Sequence, residues 1–201
     1  MSAASVLREN RENVPVSEGI NQPMSEESGR ENFLKILVAT DNHVGYLERD
    51  PIRHNDAMRS FEEILRLAVR GKADMLLLGG DLFHENKPTR EVQYRLTRLL
   101  RRHCLGSRPV ALEFVSDPSC NFHHSHFPFV NYEDPNLNVA LPVFTIHGNH
   151  DDLCGKGLSE LDLLHETGLI NLFGKFHSVE EFDVTPILLK KVGGFAVTRR
   201  I

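Results

Sequence analysis

Residues 141–152 read LPVFTIHGNHDD. An apolar, β-rich run passes straight into Gly148, Asn149, His150, Asp151 and Asp152. A strand covered on both faces has the first character; groups that hold protons and metals have the second. The same change occurs twice earlier. FLKILVAT (33–40) leads into Asp41 and His43, and ADMLLLGGD (73–81) ends in Asp81, with His84 three residues on. Between these runs the period changes. Ala57, Phe61, Ile64, Leu65 and Ala68 make one face of a helix over 55–69, with Asn55 or Asp56 as cap and Gly71 as stop. Thr89 caps a second helix to about residue 104, with Val92, Leu96, Leu99 and His103 on one side. A further strand is expected near VALEFVS (110–116), an irregular stretch over 117–138, and a helix over LSELDLLHETG (158–168) ending at Gly168. Strand alternating with helix predicts an α/β fold with a largely parallel sheet.

In such a sheet the C-terminal strand ends share one edge, and ligands bind there. Asp41, His43, Asp81, His84, Asn149 and His150 therefore converge, although they are far apart in the chain. Each cluster alone reads as a turn, because Asp, Asn and Gly are the usual turn residues. Three clusters in order, each behind a buried strand, read as a site. Carboxylate oxygen, imidazole nitrogen and amide oxygen suit Mn, Fe or Zn. Asp81, in the middle, is placed to bridge two cations roughly 3.5–4 Å apart. Gly79, Gly80 and Gly148 permit sharp turns and close backbone approach beside it.

The 201 residues suffice for one domain with a sizeable core. The net charge of −5 supplies no global basic field, so contact with a polyanion must come from a local patch or a metal. Three widely spaced cysteines, Cys104, Cys120 and Cys154, form neither a disulfide framework nor a CxxC knuckle. No stretch approaches the roughly 18 apolar residues of a membrane span, so no membrane partner is expected. Residues 1–32 are rich in Ser, Glu, Asn and Arg, and read as a disordered leader that cannot offset its ordering entropy by burial.

D-x-H, G-G-D and G-N-H-D, in that order, resemble the calcineurin-like metallophosphoesterase superfamily. The longer strings FLKILVATDNHVGY, ADMLLLGGDLFHENKPTR, FPFVNYEDPNLN and PVFTIHGNHDD resemble its meiotic-recombination-eleven branch, from about Phe33 to about Lys190. GGDLFHENKP differs from the GDxVDRG string of serine/threonine phosphatases. The resemblance implies a phosphoesterase sandwich and a nuclear nuclease of double-strand-break repair that uses two Mn²⁺ ions. It further implies 3′-to-5′ exonuclease and single-strand endonuclease activity on DNA, a homodimer, and partnership with an SMC-like ABC ATPase and with nibrin. By the same resemblance Asp41 and His43 bind the first metal, Asp81 bridges, Asn149 binds the second, and His150 contacts the phosphate and assists the leaving group.

The resemblance also implies later histidine ligands in GH and GHxH strings, and neither string occurs here. Only His165, read as a helix-face residue, and His177, read as surface, follow the GNHD motif. VTPILLKK resembles the family, whereas VGGFAVTRRI (192–201) does not. Residues 33–191 are thus expected to be a partial nuclease domain, roughly the N-terminal half of the sandwich, with a divergent tail. Such a chain is expected to be catalytically incomplete. The alternatives are a non-catalytic isoform acting through its partners, and a phosphoesterase of another branch.

RLTRLLRRH (95–103), with Lys87, Arg90 and Arg108, is the one basic concentration. Arg95, Arg98 and Arg102 are expected to share a face, either solvated or set against DNA phosphates. Leu96, Leu99 and Leu100 serve either the core or a partner subunit. Cys120, His123, His124 and His126 have the residue types of a zinc site but lie in a Pro-rich loop unsuited to hold four ligands, so no zinc is assigned. Phe127, Phe129 and Tyr132, in FPFVNYEDPNLN, either suit a partner contact or tuck under the loop.

Overall fold

Parallel pairing places the three strand ends side by side. The computed structural model describes residues 33–151, 157–175 and 184–192. In chain order the elements are β1 (Ile36–Ala39), α1 (Asp56–Arg70), β2 (Met75–Leu78), α2 (Arg90–Cys104), β3 (Leu112–Phe114), α3 (Pro118–Asn121), β4 (Val143–Thr145), α4 (Glu160–Glu166), β5 (Asn171–Leu172) and β6 (Leu189–Lys191). The order β1-β2-β4-β5 forms a parallel sheet, with Val38 beside Leu77 and Leu77 beside Phe144.

One face of this sheet carries α1 and α2. Met58, Phe61, Leu65 and Ala68 form the buried stripe of α1, and Val92, Leu96, Leu99, Leu100 and Cys104 that of α2. They meet Leu76, Leu78 and Val143 of the sheet. Each fully buried leucine contributes about 1.5–3 kcal/mol relative to exposure. Leu96, Leu99 and Leu100 are thus core of this chain. Thr89 caps α2 as expected, its hydroxyl accepting from the Val92 N–H at 3.3 Å.

The stretch at 110–116 does not join the parallel sheet. β3 pairs antiparallel with β6, Leu112 opposite Lys191, in a second two-stranded sheet. No crossover helix follows β3, only the single turn α3, so nothing carries the chain back in parallel. This small sheet covers the other face of the main one. Met75 and Phe144 pack there with Leu112, Phe122 and Val130.

β1 also departs from expectation. It is an edge strand, and only Leu37 and Ala39 pack against the core. Ile36 and Val38 point to the opposite face, 42% and 63% exposed, with Phe33 at 73%. The β3–β6 pair covers β2 and β4 on that face and stops short of β1.

His165 lies on α4 as read, on its buried face. Its Nδ1 accepts from the Leu172 N–H at 3.1 Å, its ring stacks on Phe122 at 5.5 Å, and the His124 ring lies 5.3 Å away. Burial pushes the His165 pKa down and takes that of His124 to about 4. Both rings fold neutral, so the unfolded chain binds more protons below its ordinary pKa of about 6.5. Stability is therefore expected to be level above pH 6.5 and to fall as the pH drops from 6.5 toward 4. In His124→Gln, urea midpoints over that range should fall less steeply. An unchanged slope contradicts the assignment of His124 as a buried neutral ring.

Candidate metal centre

The loops behind β1 and β2 are joined along their length. Asp41 N–H donates to Gly80 O, His43 N–H to Asp81 O and Val44 N–H to Leu82 O, at 3.2, 3.0 and 2.8 Å, and His84 N–H returns to Val44 O at 3.1 Å. This pairing twists the backbone. Asp41, His43 and Asp81 have φ of 52°, 42° and 50°. A left-handed L-residue costs roughly 1–2 kcal/mol, less for Asp, and such outliers gather at functional sites.

The loop behind β4 closes over the other two through two glycines. A Cβ added at Gly148 would overlap the carboxylate and backbone nitrogen of Asp81; one added at Gly80 would lie 2.9 Å from the Gly148 backbone. At that contact His150 N–H donates to Asp81 Oδ1 at 2.7 Å. The Asp151 side chain ties the loops from below. Its carboxylate accepts from the N–H groups of Leu82, Phe83 and Gly148 at 3.2, 3.2 and 3.1 Å. Burial raises the Asp151 pKa, the three donors oppose the rise, and the charge of Asp81 adds to it.

Side chains from all three loops converge. One ligand atom from each of Asp41, His43 and Asp81 lies within 4.8 Å of the others, and the same holds for His43, His84 and His150. His43 belongs to both triads. Its ring centroid is 4.7 Å from that of His150 and 5.4 Å from that of His84, each edge-on, and His84 and His150 stack at 5.3 Å. Tyr46 meets His84 edge-on at 4.8 Å. His150 Nδ1 lies 2.6 Å from the His84 carbonyl oxygen. A carbonyl only accepts, so Nδ1 carries the proton and Nε2 is free for another partner.

The donor set fits a divalent transition metal: two carboxylates and an imidazole in one triad, three imidazoles in the other. Two atoms support that fit. His43 Nδ1 and His84 Nδ1 are buried with no hydrogen-bond partner, which buried nitrogens rarely tolerate. Asp81 is 7% exposed and Asp41 lies on the open side.

The structure thus brings Asp41, His43, Asp81 and His150 together, as the sequence predicts. Asn149 stands exposed on the same turn, one residue from His150. His84 enters the cluster more fully than its sequence reading gave it; the signal was its place three residues after Asp81. Asp151 had no visible signal, because a clamp and a cap read alike in NHDD. Cys154 and His177 lie outside the described residues. Cys120 is exposed, and His123 Nδ1 lies 3.1 Å from the Cys120 carbonyl oxygen.

Known proteins carry the same pattern. The sequence profile of the calcineurin-like phosphoesterases matches residues 34–198. Double-strand break repair protein mre-11 of Caenorhabditis elegans is 62% identical over 170 residues, 85% of this chain and 23% of that protein. Double-strand break repair protein mus-23 of Neurospora crassa is 56% identical over 159 residues, 79% and 21%. Double-strand break repair protein MRE11 of Homo sapiens is 54% identical over 162 residues, 80% and 23%. The chain spans less than a quarter of the length of these curated relatives. The profile takes in most of the sequence, including all three loops, and the chain belongs to the calcineurin-like phosphoesterase family.

Proposed function

We propose that this chain carries the metal-binding part of a Mn-dependent DNA nuclease of double-strand-break repair. The observation that carries the reading is the convergence of Asp41, His43, Asp81, His84 and His150 on one edge of the sheet. Asp41 and His43 would hold the first ion, Asp81 would serve both ions and Asn149 would hold the second. Divalent metal held there would supply Lewis-acid activation of a phosphodiester and of water at neutral pH. The protein's own share is orientation and proton delivery. Asp81 is held by His150 N–H, and both are fixed by the Gly80–Gly148 contact. His150 Nδ1–H stays on the His84 carbonyl, which leaves Nε2 to serve the departing 3′-oxygen.

The reading includes 3′-to-5′ exonuclease and single-strand endonuclease activity, a nuclear location, and partners. A homodimer fits the outer face of α2 and α4, where Gln93, Thr97 and Leu163 border a hollow of about 150 Å³ and Leu163 is 55% exposed. Nibrin fits the surface at Phe127 and Phe129, which meet edge-on at 6.1 Å beside a 210 Å³ hollow. An SMC-like ABC ATPase completes the assembly. The domain so read covers residues 33–191, with a leader before it and a divergent tail after. GH and GHxH strings are absent from the 201 residues. The donor set is correspondingly small, and DNA cleavage by this chain alone is expected to be weak.

Metal binding is therefore the first readout. In calorimetric Mn²⁺ titrations Asp81→Asn is expected to lose at least about tenfold in affinity; equal affinity in the two proteins sinks the bridging role. His150→Gln should bind Mn²⁺ within about twofold of wild type. It should lose at least about a hundredfold of the residual single-turnover cleavage of labelled single-stranded DNA. A parallel loss of Mn²⁺ affinity would make His150 a ligand. Hydrolysis of p-nitrophenyl phosphate in preference to DNA would favour a phosphoesterase of another branch.

A further inference from the structure

We infer that His147 is a positioning residue: a buried chain of Lys175, Asp162 and Ser159 holds its ring and thereby fixes the far end of the loop that presents Asn149 and His150. That those two residues serve metal and phosphate rests on the nuclease reading; the anchoring of the loop does not. Asp151 ties the loop behind β4 at its lower end, through the N–H groups of Leu82, Phe83 and Gly148. The opposite end is His147, whose Nε2 lies 3.0 Å from Ser159 Oγ. Ser159 is the N-cap of α4, and its N–H and Oγ–H both donate to Asp162 Oδ2, at 2.7 and 3.0 Å. The other carboxylate oxygen accepts from Lys175 Nζ at 2.5 Å. The Asp162 and Lys175 side chains are only 7% and 6% exposed. The chain of contacts thus runs from the stretch after β5, through the first turn of α4, to the loop.

Each link has one direction. Burial pushes the Asp162 pKa up, but Lys175 and the Ser159 donors outweigh it and leave the carboxyl below its usual range. An ionised carboxylate only accepts, and a hydroxyl has one proton to give. Ser159 Oγ–H goes to Asp162, so the Oγ lone pair takes the Nε2–H of His147. The tautomer and the setting of the ring are thus dictated from α4. A buried ion pair is weak evidence for stability, because desolvating two charges offsets their attraction. Here it ends in a directed bond to a loop. The backbone completes the link. A Cβ added at Gly80 would lie 3.1 Å from the His147 carbonyl oxygen, so fixing the ring fixes one wall of the Gly80–Gly148 contact. Asn149 and His150 stand between the two anchors. With Asp151 alone the loop is free to pivot about its lower end, and partners of this kind orient the residues that meet a metal.

Native-state amide exchange in EDTA, followed by NMR on the whole 201-residue chain, tests the anchor without metal. His150 N–H, which donates to Asp81 Oδ1 at 2.7 Å, reports on the loop. Leu172 N–H, which donates to His165 Nδ1 at 3.1 Å, reports on the packing of α4. His147→Leu is expected to speed exchange at His150 at least about tenfold, and at Leu172 less than about twofold. His147→Gln, whose side-chain amide can donate to Ser159 Oγ, should keep His150 within about threefold of wild type. In calorimetric Mn²⁺ titrations the Leu variant should lose at least about tenfold in affinity and the Gln variant less than about threefold. The proposal is overturned if the His150 amide exchanges alike in wild type and His147→Leu. It is equally overturned if both amides speed up together, the mark of a merely structural role. Equal losses of Mn²⁺ affinity in the Gln and Leu variants would overturn it by making the ring itself a ligand, and so would no loss in either. Wild type that binds no Mn²⁺ refutes the nuclease reading instead, and the exchange rates in EDTA then decide the anchor on their own.

Discussion

Everything at the metal centre depends on a contact between two backbones. Gly80 and Gly148 approach until neither has room for a methyl group, and the Asp81 carboxylate occupies the space beside them. Parallel pairing of β1, β2 and β4 brings the strand ends into neighbouring positions, but pairing alone leaves three loops free to splay. The glycine contact draws the third loop down. The Asp151 carboxylate then holds it through three N–H groups. Ligand atoms from three distant segments meet within 4.8 Å as a consequence. The left-handed φ angles of Asp41, His43 and Asp81 are the local cost of that convergence, offset by the burial of Leu76, Leu78, Leu96 and Leu100 beneath.

The parts of this arrangement legible in the sequence are those with a period or a fixed place. The stripes of α1 and α2 repeat at helical spacing, and the chemistry of Asp41, His43, Asp81 and His150 directly follows apolar runs. Those two signals give the helices, the parallel sheet and most of the cluster. What stayed hidden depends on partners far along the chain. VALEFVS has the same apolar character whether it joins a parallel sheet or pairs with Leu189–Lys191 in an antiparallel one. FLKILVAT looks buried on both faces, yet β1 lies at the edge, where the small sheet does not reach. Asp151 and Asp152 are adjacent and chemically alike, so the sequence cannot single out Asp151 as the clamp. His165 reads as a helix-face residue without saying which face, and the packing of Phe122 and the Leu172 N–H make it a buried acceptor.

The two halves of the imidazole cluster have different tasks in this account. His43 lies between the carboxylates and the other rings, where the proposed function would give it to the metal. His150 is turned by the His84 carbonyl so that one nitrogen is committed and the other is free. His84 therefore contributes twice to the cluster, through its ring and through its carbonyl on His150.

The central claim is that the strand ends form a metal centre. Anomalous diffraction from crystals grown with Mn²⁺, collected near the manganese edge, tests it most directly. The account predicts a peak in bonding distance of the Asp81 carboxylate, at roughly 2.0–2.2 Å, with His43 and Asp41 around it. A clean map at that position under saturating Mn²⁺, or a peak held only by residues outside the three loops, would contradict it.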